Sequence, residues 1–174
     1  MEELEYRMFH LVIYQLSGIQ AGIQASHARD EYAEAFDQDE DFKSWRKTHK
    51  TVILLNGGDT NSLGYDHYSR KPYVGTMQMH IEKLKELGIK YSEFFEPSLN
   101  NALTGISFLL DERVFDHKKH PYPTINDIGG FIPAIHIEGD SWIRQELERL
   151  AIEKYGEKVY NTRNWIKPFR LLMT

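Results

Sequence analysis

The stretch QLSGIQAGIQASHARDEYAEAF, residues 15–36, decides how the chain begins to fold. It overlaps an apolar run, MFHLVIYQL at residues 8–16, whose β-branched and aromatic members predict a buried strand. Ser17, followed three residues later by Gln20, gives the S-x-x-Q pattern of a capping box, which predicts a helix over residues 18–36. The first two elements are therefore expected to be a buried strand and a long helix.

The rest of the chain alternates strands and helices. Further strands are predicted at residues 51–56, 89–96 and 103–111, helices after Thr76 and after a cap at Asp140 or Ser141, a long loop at 59–75, and a short edge strand in FIPAIHIEG at 131–139. The last two main strands are expected to pair across PSLNNA. The order β-α-β-α-β-β plus a C-terminal helix predicts an α/β fold whose mostly parallel central sheet of about four strands is flanked by helices. We expect a single domain over residues 1–174, with a core at about 8–111 and a loop-rich insertion and helix at 112–174.

Composition places the chain among globular proteins. It has 174 residues, of which 41% are apolar and 27% charged, and no apolar run approaches the length of a membrane span. The N-terminus is acidic and lacks a secretory signal pattern. The absence of cysteine excludes disulfides, thiolate metal sites and a cysteine nucleophile, and the expected location is the cytoplasm, without a membrane partner.

Charge is unevenly distributed. The net charge of −5 does not favour a nucleic-acid partner, because such binding depends on neutralising phosphates. However, basic residues and aromatic rings are interleaved at residues 43–50, which include Arg46 and Lys47, and again at residues 154–170. These segments are either solvated surface, which is the commoner case, or a grip for RNA.

The predicted first helix carries an unusual set of polar residues. Gln20, Gln24, His27 and Glu31 share one face at helical spacing, and small residues at 21, 25 and 28 form a neighbouring face that would lie close to the sheet. The carboxyl end of a strand is where α/β proteins tend to bind ligands. The face is either a site of amides and an imidazole or an ordinary solvent-facing helix surface.

Other motifs give weaker signals. His117 and His120 have H-x-x-H spacing but lack a convincing third ligand, so we expect no metal site, and no nucleotide-binding motif or cofactor is indicated. The segment EPSLNNALTG at residues 96–105 joins two predicted strands and is rich in polar side chains. It is either a functional loop or a polar hairpin turn.

The helix sequence GIQAGIQASHA resembles the type 2 peptidyl-tRNA hydrolases, in which an apolar strand precedes a helix of the form K-x-A-A-Q-x-x-H-A. Gln24 and His27 fall on the family's glutamine and histidine, and Gln20 stands where the family has its functional lysine. Glu96 stands near the family's aspartate. Asn100 and Thr104 stand near its two threonines. The resemblance covers about residues 8–111 and implies the fold of that family.

The resemblance also implies a function, the hydrolysis of the ester between a peptide and the terminal ribose of tRNA. The residues it singles out are His27, Glu96, Gln24 and Gln20 as catalytic groups and Asn100 and Thr104 as contacts to the carbonyl or ribose. The helix start adds Ser17 as a substrate contact, and the basic segment at 43–50 adds Arg46 and Lys47 as contacts to the tRNA backbone. One alternative is a protein on the same fold that binds a nucleotide or small ligand without chemistry. Another is an interaction module that docks a protein partner through its C-terminal helix and basic tail. A homodimer is left open.

Overall fold

A computed structural model of the protein describes residues 4–60, 64–66, 71–128 and 140–169. The chain divides into two compact units, one formed by residues up to Asp111 together with Phe169, and the other by Glu112–Pro168. The boundary lies where the family resemblance ends. That the whole chain behaves as one domain stays a prediction.

The bounds of the elements are as follows. The first unit contains the strands β1 (Tyr6–Ile13), β2 (Val52–Gly58), β3 (Gly64–Asp66), β4 (Lys71–Tyr73), β5 (Tyr91–Glu96) and β6 (Ala102–Asp111), and the helices α1 (Gly18–Phe36), α2 (Glu40–Ser44) and α3 (Thr76–Glu86). A π-helical turn (Trp45–His49) follows α2, and a 3-10 turn (Pro97–Leu99) follows β5. The second unit contains α4 (Glu112–Phe115), a 3-10 turn (Ile125–Ile128), α5 (Asp140–Tyr155) and α6 (Glu157–Ile166). None of the helices in these ranges combines the length and apolar character needed to cross a bilayer.

The main sheet is mixed. Its four strands have the order β2-β1-β6-β5, in which β1 is parallel to β2 but antiparallel to β6, and β6 is antiparallel to β5. The prediction of four main strands is confirmed, and so is the antiparallel pair across PSLNNA. The prediction of a mostly parallel sheet is wrong. A continuous apolar run indicates that a strand is buried on both faces, and β6 is buried in this way although both its neighbours are antiparallel to it. A second, two-stranded sheet of β3 and β4 lies within the predicted loop at 59–75.

Helices cover both faces of the main sheet. On β1, Val12 packs with Ala21 and Ala25 of α1, whereas the neighbouring Leu11 lies near Met77 of α3. Since successive side chains of a strand point to opposite faces, α1 and α3 lie on opposite sides of the sheet. The helix α1 also packs on β5 and β6.

The start of α1 is confirmed as predicted. The Gln20 N–H donates to Ser17 Oγ at 3.3 Å, and the Ser17 N–H donates to Gln20 Oε1 at 3.1 Å, which completes the capping box. The helix runs over residues 18–36, and the small face is buried as expected. Gly105 of β6 allows the close approach, since a Cβ there would lie 2.8 Å from the Gln24 carbonyl oxygen.

Two helix starts differ from expectation. Residues 40–49 form α2 and the π-helical turn, where the sequence predicted solvated surface or an RNA contact but no helix. Their Phe42 and Trp45 are buried with Met8 of β1. Thr76 does not cap α3, because Gly75 precedes the helix as its cap residue. The Thr76 hydroxyl instead donates to the Gly57 carbonyl at 2.9 Å, which ties the start of α3 to the end of β2.

The second unit is packed around a buried arginine. Arg163 of α6 donates to the carbonyl oxygens of Arg113 and His120, and its guanidinium lies 4.5 and 4.6 Å from the ring centres of Tyr122 and Tyr155. This packing makes α6 part of the unit's core, which disfavours the reading of residues 157–174 as a separable docking arm. The predicted strand at 131–139 lies outside the described residues, and so do the side chains of the predicted caps of α5.

Candidate functional site

A buried amide links helix α1 to the ends of two strands. Gln24 Nε2 donates to Glu96 Oε2 at 2.7 Å, and Thr104 Oγ1 donates to Gln24 Oε1 at 2.5 Å. Gln24 and Thr104 are buried, whereas Glu96 is partly exposed. An ionised carboxylate only accepts hydrogen bonds, so the amide nitrogen must face Glu96 and the amide oxygen must face the hydroxyl. We call Gln24, Glu96 and Thr104 the Gln24 cluster.

An irregularity in strand pairing brings Thr104 to this position. Phe94 pairs with Gly105, and Phe95 pairs with Leu103, so Thr104 has no partner in β5. Such a bulge turns the side chain of the extra residue away from its regular alternation. The bulge therefore aims the Thr104 hydroxyl at Gln24.

The turn after β5 fixes Glu96. Pro97 starts the 3-10 turn, and Glu96 Oε1 accepts hydrogen bonds from the Ser98 N–H at 3.1 Å and the Ser98 hydroxyl at 2.8 Å. Asn100, with φ of 53°, occupies the left-handed region and redirects the chain toward β6. Hydrogen bonds from Gln24 and Ser98, assisted by the charge of His27, lower the pKa of Glu96, so this carboxyl is ionised at neutral pH.

The open side of the cluster carries an imidazole. His27 is exposed, and its ring stacks on Phe94 with centroids 4.6 Å apart. Glu96 uses three of about four acceptor positions on its carboxylate, so Oε2 can still accept one more hydrogen bond. The cluster thus presents one open acceptor beside one exposed imidazole.

The other residues singled out by the resemblance lie apart from these contacts. Ser17 and Gln20 bond to each other in the capping box, one turn before Gln24. The Gln20 amide nitrogen forms no hydrogen bond within the part of the chain that the structure describes. Asn100 is exposed on the turn that follows Glu96, and its observed contribution is its backbone conformation.

The predicted tRNA-backbone contacts lie on the π-helical turn. Arg46 and Lys47 are both exposed, and Arg46 pairs with Asp37 at 2.9 Å and lies 5.4 Å from the Phe42 ring centre. Nearby Lys43 pairs with Glu40 at 3.0 Å. The acidic run that precedes this basic segment therefore neutralises two of its cations.

A second polar group under α1 was not predicted. His10 of β1, Ser107 of β6 and Ser92 of β5 lie directly opposite one another across three strands, and all three are buried. His10 Nδ1 lies 2.6 Å from Ser107 Oγ, and the Ser92 hydroxyl donates to the Ala28 carbonyl at 2.6 Å. Burial, together with the charge of Arg29, lowers the pKa of His10 to about 4. We call these three residues the His10 row; their signal in the sequence was a histidine inside an apolar strand.

Two further findings bear on function. Within residues 4–60, 64–66, 71–128 and 140–169, no three His, Asp or Glu side chains converge in a way that could hold a metal ion. No family model matches the chain, and no curated protein matches it. The candidate function therefore has to be argued from the site itself.

Proposed function

We propose that the protein hydrolyses acyl esters of the terminal ribose of tRNA, in the manner of the type 2 peptidyl-tRNA hydrolases that its helix α1 resembles. The observation that carries the proposal is the Gln24 amide, which joins Glu96 to Thr104 beside the exposed His27. Four positions picked out by the resemblance thus come together from α1, β5 and β6.

The geometry supports a division of roles. His27 is exposed, and an imidazole is the commonest general base in enzymes, so it takes the proton of the attacking water. Glu96 is a weak base, because its pKa is lowered by three neutral donors, and it orients the substrate through its open acceptor. The water oxygen bonds to the carbonyl carbon, the ester C–O bond breaks, and the ribose oxygen receives the proton. The free Gln20 amide nitrogen can donate to the carbonyl oxygen, more weakly than a lysine would.

The charge pattern suggests weak binding to the tRNA backbone. Arg46 is already paired with Asp37, and the net charge of the chain is −5. We therefore expect Lys47, which is exposed, to contribute more to phosphate contact than Arg46.

The second candidate is a protein that binds a small ligand at this site without chemistry. The observation in its favour is that Glu96 is held by Gln24 and Ser98, and that the Gln20 amide oxygen is used in the helix cap. Fixed acceptors of this kind suit recognition as well as catalysis.

Release of peptide from labelled peptidyl-tRNA separates the two candidates. We expect wild type to release peptide, and His27→Ala to lower the rate by about a hundredfold or more, as expected for loss of a general base. Glu96→Gln should also be slow, because it removes the charge and leaves one oxygen for the two acceptor positions that Gln24 and Ser98 use. Glu34→Gln, an exposed position on α1, is the matched control and should keep wild-type activity. Folded wild-type protein that leaves both this ester and the aminoacyl ester of tRNA intact would exclude the hydrolase and leave ligand binding.

A further inference from the structure

The Gln24 cluster carries a negative charge that is paired with no lysine or arginine among the described residues, and His27 is the group whose charge acts on it. Glu96 receives its hydrogen bonds from the neutral groups of Gln24 and Ser98, and it forms no ion pair with lysine or arginine among the described residues. Gln20, one turn before Gln24, is also uncharged. The open side of the site therefore has one anion, Glu96, beside the exposed imidazole of His27.

Three other carboxylates of the same unit are paired with cations. Asp39 pairs with Lys90, Asp37 with Arg46 at 2.9 Å, and Glu40 with Lys43 at 3.0 Å. Glu96 differs from them because its charge is stabilised by neutral donors and stays available to a ligand. A site that holds an uncompensated charge attracts the opposite charge and disfavours its own.

We infer that the Gln24 cluster selects a ligand with a protonated amine, so that the substrate class is an aminoacyl ester with a free α-ammonium group in preference to an N-blocked peptidyl ester. This inference rests on the proposed function and narrows it. The α-ammonium donates to the open acceptor of Glu96 Oε2. Its nitrogen is two bonds from the ester carbonyl carbon that the water attacks. An amide N–H at the same place would donate too, but it carries no charge and brings a bulky acyl group toward the turn at Ser98.

The reaction itself is unchanged by this choice. Water adds to the ester carbonyl, the bond to the ribose oxygen breaks, and the products are the free amino acid and the tRNA hydroxyl. The amine keeps its protons throughout, because it binds Glu96 and takes no part in the bond changes.

Binding of a matched pair of stable analogues tests the inference without requiring turnover. Both probes are 3′-deoxy-3′-aminoadenosine with a leucyl group attached through an amide; in one the leucyl α-amine is free, and in the other it is N-acetylated. The apolar leucyl side chain suits the exposed Ile19 and Ile23 on the same helix. Calorimetry on the full chain should show about tenfold tighter binding of the free amine, roughly the strength of one charge-assisted hydrogen bond. Equal affinities, or tighter binding of the acetylated analogue, would overturn the inference.

Two variants locate the source of the preference. Glu96→Gln removes the charge and leaves one oxygen, which can accept from Ser98 but not also from Gln24, so the preference should vanish, whereas Glu34→Gln should keep it. Gln20→Lys adds a cation one turn away and should reduce the preference independently of Glu96. A preference that persists in both Glu96→Gln and Gln20→Lys would also overturn the inference.

Hydrolysis of the corresponding tRNA esters, one with a free amine and one N-acetylated, is measured in a separate assay. Selective binding of the free amine without cleavage of either ester would exclude the proposed hydrolase and support only the preference for a ligand with a protonated amine. Faster cleavage of the N-acetylated ester would support the hydrolase and overturn the inference.

Discussion

Two polar groups lie under the same helix and differ in what they can do. The Gln24 cluster links α1 to β5 and β6 through side-chain hydrogen bonds, whereas the His10 row links α1 to β5 and β1 to β6. The row is closed, because its three residues are buried and its histidine is neutral at physiological pH. The cluster ends in a partly exposed carboxylate with an open acceptor. Residue type does not distinguish a site from a structural network; exposure and unused hydrogen-bonding capacity do.

Acid should destabilise the protein through the His10 row, and this is the largest expected effect on the free energy of unfolding. The pKa of His10 is about 4 in the folded protein, against 6.5 for an ordinary histidine. The unfolded chain therefore takes up this proton first, so stability is full above pH 6.5 and falls as the pH drops from 6.5 to 4. The loss is about 3 kcal/mol over the whole range and about 2 kcal/mol by pH 5.

Urea unfolding at pH 7 and pH 5 measures this effect. His80 and His117 also have lowered pKa values and act in the same direction, so the informative quantity is the difference from a His10→Leu variant. That variant should lose much of the pH dependence. If its stability fell between pH 7 and 5 as much as that of wild type, His10 would not be the buried titrating group.

A methyl group at Gly105 should disturb both polar groups at once. Its Cβ would lie 2.8 Å from the Gln24 carbonyl oxygen and 3.1 Å from the Ala28 Cβ, so α1 must move away from the sheet. We expect Gly105→Ala to lower the free energy of unfolding by about 2 kcal/mol. The control is Gly22→Ala on the exposed side of α1, where nothing lies within 4 Å, and it should stabilise the protein by about 0.5–1 kcal/mol. Similar signs for the two variants in urea unfolding would contradict the close approach.

The sequence predicted local features better than the way they combine. The capping box at Ser17 and the extent of α1 could be predicted because neighbouring residues determine them. The direction of β6 could not, because burial on both faces gives the same apolar run in parallel and antiparallel strands. The resemblance brought Gln24, Glu96 and Thr104 into consideration, but their contacts depend on a bulge between β5 and β6. That bulge arises from long-range pairing and has no local signal.

Removing the Thr104 hydroxyl should weaken the Gln24 cluster and lower the free energy of unfolding by less than the changes above. In Thr104→Val the buried Gln24 amide oxygen loses its donor, which costs about 1–2 kcal/mol, whereas Thr104→Ser keeps the hydroxyl. The freed amide can turn away from Glu96, so the pKa of Glu96 should rise. An NMR titration of the glutamate side chains measures this rise, and an unchanged Glu96 pKa in Thr104→Val would show that Thr104 does not hold the amide.

The two histidines give the smallest expected change in stability and the sharpest contrast. His27 is exposed and stacks on one ring, so His27→Ala should change the free energy of unfolding by about 0.5 kcal/mol or less while abolishing most hydrolysis. His10→Ala removes a buried side chain and the partner of Ser107, and should cost about 2 kcal/mol or more. Urea unfolding of both variants, with peptide release measured on His27→Ala, makes the comparison. Equal destabilisation by His27→Ala and His10→Ala would mean that His27 is a packing residue. The contrast between the open Gln24 cluster and the closed His10 row would then fail.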